Sequence, residues 1–142
     1  MYSQKDILIL SFYEEERRAL STLFNKMLGL NDIAVENVDA AQGSESPFVT
    51  VSMTRPGIRP SIGVFQDQHR QCVALSRAQD GLVVAGHEKM GKTPGAGYKA
   101  WDNVIRAHER GNRLIQRMGY GDWITTHLQI SSKDWVQIDG QF

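Results

Sequence analysis

A single cysteine, Cys72, stands among 142 residues, so no internal disulfide can form and the chain suits a reducing compartment. Net charge is missing too: 16 Lys and Arg cancel 16 Asp and Glu. No global field therefore draws the chain to nucleic acid or membrane, and any nucleic-acid contact must be a local patch or a cleft shared with another domain. No apolar run approaches the roughly 18 residues needed to span a bilayer. Lys5 and Asp6 precede only a short apolar run, Ile7 to Ser11, which is not a signal-peptide pattern. Internal repeats and low-complexity tracts are lacking as well. What remains is an ordinary globular balance, 41% hydrophobic and 23% charged, in one domain's length of chain. The expectation is a soluble intracellular domain, cytoplasmic or nuclear, with no membrane partner.

Apolar runs and helical spacings alternate along the chain. Ile7-Leu8-Ile9-Leu10 reads as a strand buried on both faces. Ser11-Phe12-Tyr13-Glu14 has capping-box spacing, and Ala19, Leu20, Leu23, Phe24, Met27 and Leu28 recur on one helical face, with Gly29 as the stop. Ile33 to Val38 and Phe48 to Met53 read as further strands, and Arg55 to Pro60 as a loop. A helix is predicted from about Asp67 to Gln79, ending at an Asp80-Gly81 turn, followed by a buried strand, Leu82 to Ala85. After a Gly-rich loop, Gly91 to Gly97, the residues Trp101, Val104, Ile105 and His108 mark another helix that Gly111 ends or kinks. Beyond Gly119 the pattern fades, leaving Trp123 to Leu128 and Trp135 to Ile138 as short strands or a loosely packed tail. The order implies an α/β domain with a mostly parallel sheet covered on both faces.

Two runs carry the chemistry. Gln42-Gly43-Ser44-Glu45 offers an amide, a glycine that lets backbone approach a ligand, and a carboxylate; its bland reading is a polar turn. Val73-Ala74-Leu75-Ser76-Arg77-Ala78 sets one arginine in a small, apolar, helical run, where it must snorkel, pair, or point into a cleft. A guanidinium at a domain edge suits a transferring phosphoryl group; its bland reading is a structural salt bridge. Gly86-His87-Glu88-Lys89-Met90-Gly91-Lys92-Thr93 fits the phosphate-loop expression. Yet Pro94, Gly95 and Gly97 oppose the helix whose amides would hold the phosphates, so the match reads as a decoy. His69 and Cys72 share a helical spacing without a completing ligand, so no metal site is expected. Trp101 reads as core rather than as a base-stacking platform.

Taken in order, these segments resemble the C-terminal RecA-like lobe of superfamily 1 helicases, nearest the RNA/DNA helicases related to nonsense-mediated decay and their zinc-finger-containing relatives. Ile7 to Tyr13 is similar to the strand and "T-P-Y" of motif IV. Asn37 to Glu45 looks like motif V, usually "T/S-V-D-x-x-Q-G-x-E", and Asp67 to Gln79 like motif VI, usually "D-x-x-R-x-x-V-A-L-[ST]-R-A-[KR]". Gly81 to His87 matches the strand after it. The resemblance covers roughly residues 6 to 110. It implies a three-layer RecA-like domain, incomplete at its N-terminal edge, over residues 1–118, with a tail of unclear structure over 119–142.

By that resemblance, Arg77 is the arginine finger on the γ-phosphate and Gln42 its catalytic neighbour. Gly43, Glu45, Arg70 and Tyr13 belong to the nucleotide side, with Glu45 near the ribose, and Asn37 meets the nucleic-acid backbone. ATP and Mg2+ are expected only in a complete two-lobe enzyme, and neither for this chain alone. The implied partners are an N-terminal RecA-like lobe and single-stranded RNA or DNA. Departures are Phe12, Glu16, Pro47 and Gln79, the last removing a usual positive charge beside Arg77. The phosphate loop and the Asp-Glu magnesium motif of the first lobe are missing, so the chain alone is expected to be inactive. The rival readings are a degenerate interaction module and a small phosphate-loop NTPase or kinase using Lys92.

Overall fold

The computed structural model describes residues 1–53, 67–86, 98–111, 126–131 and 134–138. The chain divides into two compact units, residues 1–102 and 103–142. The first is built on a four-stranded sheet of β1 (Ile7–Ser11), β2 (Ala34–Asn37), β3 (Ser46–Ser52) and β4 (Ala78–Ala85), in the order β2-β1-β3-β4. Every pairing is parallel. Helices α1 (Glu14–Ser21) and α2 (Gln68–Leu75) belong to the same unit, and α3 (Tyr98–Arg110) begins in it. This is the α/β arrangement with a parallel sheet that the alternation of strand and helix patterns anticipates, and it is consistent with the RecA-like domain that the resemblance implies.

β1 lies at the centre because its sequence permits nothing else. Leu8, Ile9 and Leu10 are all buried although neighbouring side chains point to opposite faces, so both faces of the strand are covered. In register, Ile9 lies between Val35 of β2 and Thr50 of β3. Val49, Val51 and Met53 extend the core along β3, and Val38, Ala41, Ala74 and Trp101 close over it.

Leu82 to Ala85 form part of β4 but not a buried strand, since β4 lies at the edge of the sheet and Val83 is 47% exposed. Beyond that, local details depart from the sequence reading in three places. α1 starts one residue after Tyr13, which is its N-cap but donates no side-chain cap; Ser11 stays in the strand, so the expected capping box does not form. The Ser11 hydroxyl instead accepts from the Tyr13 N–H at 3.2 Å and lies 2.5 Å from Glu16 Oε2, while the Ser52 hydroxyl donates to Glu16 Oε1. One carboxylate from the first turn of α1 thus joins the carboxyl ends of β1 and β3. Secondly, α1 gives way to a π-helical segment, Thr22–Met27, where the Leu28 N–H reaches back to the Leu23 carbonyl at 3.0 Å. Leu23, Met27 and Leu28 are exposed rather than core, and no residue of α1 or of the π-helical segment is buried. Gly29, at φ +69°, ends the segment in the left-handed conformation that a glycine stop provides.

The third departure bears on the site. α2 ends at Leu75, not near Gln79, and β4 already begins at Ala78. Asp80 and Gly81 are strand residues rather than a turn. Gly81 is needed there because a Cβ would lie 2.7 Å from the Phe48 ring, which also stacks edge-on with Tyr2 at 4.6 Å. Packing has overridden the local turn signal. Asp67, placed at the helix start, is the N-cap and accepts from the His69 and Arg70 amides at 2.9 and 3.3 Å.

The second unit holds the rest of α3 and an antiparallel hairpin of β5 (Thr126–Ser131) and β6 (Asp134–Ile138). These strands overlap both stretches read as strand or tail, β5 running on to Ser131 and β6 starting at Asp134. In α3, His108 Nδ1 lies 2.7 Å from the Val104 carbonyl, a bond within the helix, and the Gly111 N–H closes the helix onto Ala107. The loop over 55–60 and most of the phosphate-loop match, residues 87–93, lie outside the described residues.

Two expected outcomes test this packing. A Cβ at Gly86 would approach Trp101 Cζ2 to 2.6 Å, and Trp101 is buried. Gly86→Ala should cost about 1–3 kcal/mol by overpacking, read as a lower urea midpoint at constant slope; an unchanged midpoint would remove Trp101 from the core. Arg17 and Arg18 hydrogen-bond Glu14 at the start of α1, and the Arg17 bond first of all holds its pKa at about 2 rather than 4.5. Because the folded value is the lower one, this contribution is complete above about pH 4.5 and is lost as pH falls towards about 2. Glu14→Gln should flatten that acid limb of the melting-temperature profile while leaving neutral stability little changed, since the pair is exposed to solvent. An identical acid limb in the variant refutes the assignment.

Candidate functional site

Between β2 and β3 the chain must travel from the carboxyl end of one strand to the amino end of another, and it does so in the eight residues Val38 to Glu45. Val38 and Ala41 pin this crossover to the core, with 1% and 0% exposure. Consecutive turns shorten it: the Ala40 and Ala41 amides both donate to the Asn37 carbonyl, and the Ser44 amide to Ala41. Gly43, at φ +89°, supplies the left-handed step that releases the chain into β3. Gln42, Gly43 and Glu45 remain exposed along it.

α2 and the residues after it make the same descent, from Asp67 to Arg77, and the two segments meet at both ends. At the carboxyl edge, Arg70 Nε and Nη2 hold the two Asp39 oxygens at 2.8 and 3.0 Å, a bidentate fork. At the amino edge, the Ser46 amide donates to the Arg77 carbonyl at 3.1 Å, Arg77 Nη1 donates to the Ser44 carbonyl at 3.4 Å, and Gln79 Nε2 donates to Glu45 Oε2 at 3.3 Å. The motif V and motif VI segments are thus neighbours from end to end.

Arg77 sits in the two-residue junction between α2 and β4, half-buried. Its Nε donates to the Val73 carbonyl at 3.1 Å and its Nη2 to the Ser76 hydroxyl at 2.9 Å, with Nη1 on Ser44 as above. All three acceptors are neutral, and among the described residues Arg77 makes no ion pair. Among the described residues no carboxylate pairs with it, and the side chain is held in place by neutral acceptors alone.

Not all the sequence candidates converge. Tyr13 and Asn37 lie at the carboxyl ends of β1 and β2, whereas Glu45 and Arg77 lie at the amino ends of β3 and β4. The length of β3 separates the two groups by about 20 Å, at roughly 3.3 Å per residue. A single face presenting Tyr13, Gln42 and Arg77 together is therefore not what the fold builds. Asn37 turns inward on its own segment, its Oδ1 accepting from the Asp39 amide at 3.0 Å. Arg70, expected beside the nucleotide, spends its fork on Asp39. The sequence reading missed Asp39, Ser44 and Gln79 as partners; a pairing across 31 residues leaves no local spacing to betray it. His69 and Cys72 are exposed, and no three His, Cys, Asp or Glu side chains converge among the described residues. No helix among them is long and apolar enough to cross a membrane.

Comparison with known proteins agrees with this architecture. A family model described as an AAA domain matches residues 1–89. Regulator of nonsense transcripts 1 of Dictyostelium discoideum is 32% identical over 114 residues, 76% of this chain and 8% of that protein. The helicase required for RNAi-mediated heterochromatin assembly 1 of Schizosaccharomyces pombe is 34% identical over 86 residues, 59% of this chain and 9% of that protein. The NFX1-type zinc finger-containing protein 1 homolog of Caenorhabditis elegans is 32% identical over 121 residues, 80% of this chain and 5% of that protein. The chain therefore spans less than a tenth of the length of each of these three relatives. With a parallel sheet of RecA-like type and the matched region covering that whole sheet, the chain belongs to the AAA domain family and is a helicase-like domain of the superfamily 1 kind.

Proposed function

We propose that this chain acts as the C-terminal lobe of an ATP-dependent superfamily 1 helicase, supplying the arginine finger and part of the nucleotide and single-stranded nucleic-acid clefts. The observation that carries this reading is Arg77: a half-buried guanidinium fixed by three neutral acceptors, with no carboxylate partner among the described residues. A planar fork in that state suits the oxygens of a transferring γ-phosphoryl group, whose charge is spread over several atoms. Glu45 and Gln42, on the adjoining crossover, offer acceptors and a donor for sugar hydroxyls or the attacking water, and Gly43 keeps that approach free of a side chain. Asn37, at the far edge of the sheet, serves the nucleic-acid backbone.

ATP with magnesium supplies the reactive phosphoryl group when bound. In this reading the metal's ligands and the phosphate cradle belong to the partner lobe, in the same parent chain or in trans. The substrate track is single-stranded RNA or DNA, and the setting is intracellular. The role of this chain's own residues is narrow: Arg77 stabilises developing charge, and the crossover beside it shapes the cleft wall.

Two outcomes follow. The chain alone should show no ATP turnover above a protein blank, with or without single-stranded nucleic acid, because a finger without cradle and metal ligands cannot complete phosphoryl transfer. Steady, nucleic-acid-stimulated turnover would overturn the reading, and loss of such turnover in Lys92→Ala would favour the phosphate-loop rival. In a two-lobe enzyme carrying this domain, Arg77→Ala should reduce kcat by about 10³–10⁵, roughly 4–7 kcal/mol, with folding and nucleic-acid affinity nearly unchanged. Arg77→Lys should not rescue it, since a point charge cannot bridge two oxygens. Wild-type turnover per folded molecule in Arg77→Ala would exclude the residue from the mechanism.

A further inference from the structure

Arg70 and Arg77 lie seven positions apart in one segment, yet the structure treats them oppositely. Among the described residues Arg77 has only neutral acceptors. Arg70 has one edge of its guanidinium closed on both oxygens of Asp39, with Asp67 Oδ2 a further 3.9 Å away. Two carboxylates around one guanidinium satisfy its charge locally, and a bidentate edge cannot also clamp a phosphate in the same geometry. We propose that Arg70 is a positioning residue that does not touch the nucleotide: the Asp39–Arg70 fork latches the Val38–Glu45 crossover to α2 and thereby fixes Arg77. This deepens the reading of Arg77 as a finger and rests on it for its functional meaning.

The argument turns on where the fork sits. Asp39 is the first exposed residue after β2 and leads directly into the turns that carry Gln42 and Glu45. Arg70 is in the first turn of α2, whose other end delivers Arg77. The crossover touches this second segment again through the Ser44 carbonyl and the Ser46 amide, both bonded to Arg77 itself. Between these ends only Val38 and Ala41 anchor the crossover to the core, and neither constrains its polar edge. Sliding of the crossover along α2 would carry Ser44 away from Arg77 Nη1, leaving that nitrogen without its protein acceptor. A fork resists such sliding better than a point contact does, because both of its bonds must break together.

Stability is a poor explanation for the pair. Arg70 and Asp39 side chains are 37% and 61% exposed, a setting in which ion pairs contribute little to folding. The geometry that remains is directional, and its direction is across two segments 31 residues apart. A nucleotide-contacting role for Arg70 makes a different demand: Asp39 would then compete with the ligand, and its removal would free the guanidinium.

The test uses the full chain, 15N-labelled, with no nucleotide present. Hydrogen exchange is followed at the Ser46 amide and at Arg77 Nε–H, with the Ile9 and Leu10 amides of β1 as internal controls. Asp39→Asn and Arg70→Lys should each accelerate exchange at Ser46 and Arg77 by about tenfold while β1 changes less than about twofold, the pattern of a local opening. The double variant should be no faster than either single one, because both remove the same interaction. Unchanged exchange at Ser46 and Arg77, additive effects, or acceleration that includes β1 equally would overturn the latch. In the two-lobe enzyme, both variants should lower kcat with KM for ATP unchanged; a raised KM in Arg70→Lys alone would mark a direct phosphate contact and refute the proposal. The two readings fail separately. If Arg77→Ala leaves turnover intact while exchange responds as expected, the finger falls and the latch stands; the opposite pair of results leaves the finger and removes the latch.

Discussion

Parallel pairing of β1 between β2 and β3 is the constraint from which the rest of this domain follows. A parallel sheet has no hairpins, so each connection must return from the carboxyl edge of one strand to the amino edge of the next. That return is costly in chain length, and here one of the crossovers takes only eight residues. The short path forces Val38 to Glu45 to lie close to the sheet, pinned by Val38 and Ala41. α2 covers an adjacent line for the same topological reason. Two polar segments, distant in sequence, are thereby laid side by side, and the bonds that join them at the candidate site are a consequence of that adjacency.

The electrostatics along this seam are uneven. One end is neutralised, with Arg70 forked on Asp39, and the other is not, with Arg77 held by carbonyls and a hydroxyl. Among the described residues, one arginine is compensated locally and the other is not, so a single short segment holds the same side chain in two settings. The carboxyl edge shows a comparable economy: Glu16 gathers the Ser11 and Ser52 hydroxyls and ties α1 to the ends of the two central strands. The exposed Leu23, Met27 and Leu28, by contrast, take part in neither arrangement.

Much of the fold was legible in the residues, because burial on both faces imposes a continuous apolar run, although the similar run Leu82 to Ala85 forms an edge strand that is not buried. Ile7 to Leu10 announced β1, and Gly29, Asp67 and Gly111 marked helix boundaries by backbone chemistry that acts within a few residues. Element lengths were less legible. Propensity favoured a turn at Asp80-Gly81, but the space beneath the Phe48 ring required a glycine in a strand. The helical stripe through Met27 was right in marking a helical segment, yet that segment turns π-helical and none of the stripe is buried.

For the site, sequence alone determined the chemical groups and their order: an amide, glycine and carboxylate in one run, an isolated arginine in another, and the likeness of both to helicase motifs. Those are local properties, set by residue type and spacing. Tertiary structure decided which groups share an end of the sheet. It put Arg77 beside Ser44 and Glu45, moved Tyr13 to the opposite edge, and gave Arg70 to Asp39. Strand direction fixes the end on which each residue falls, and register fixes its neighbour across the seam. Both are settled only when separate parts of the chain pair, so no window of sequence contains them.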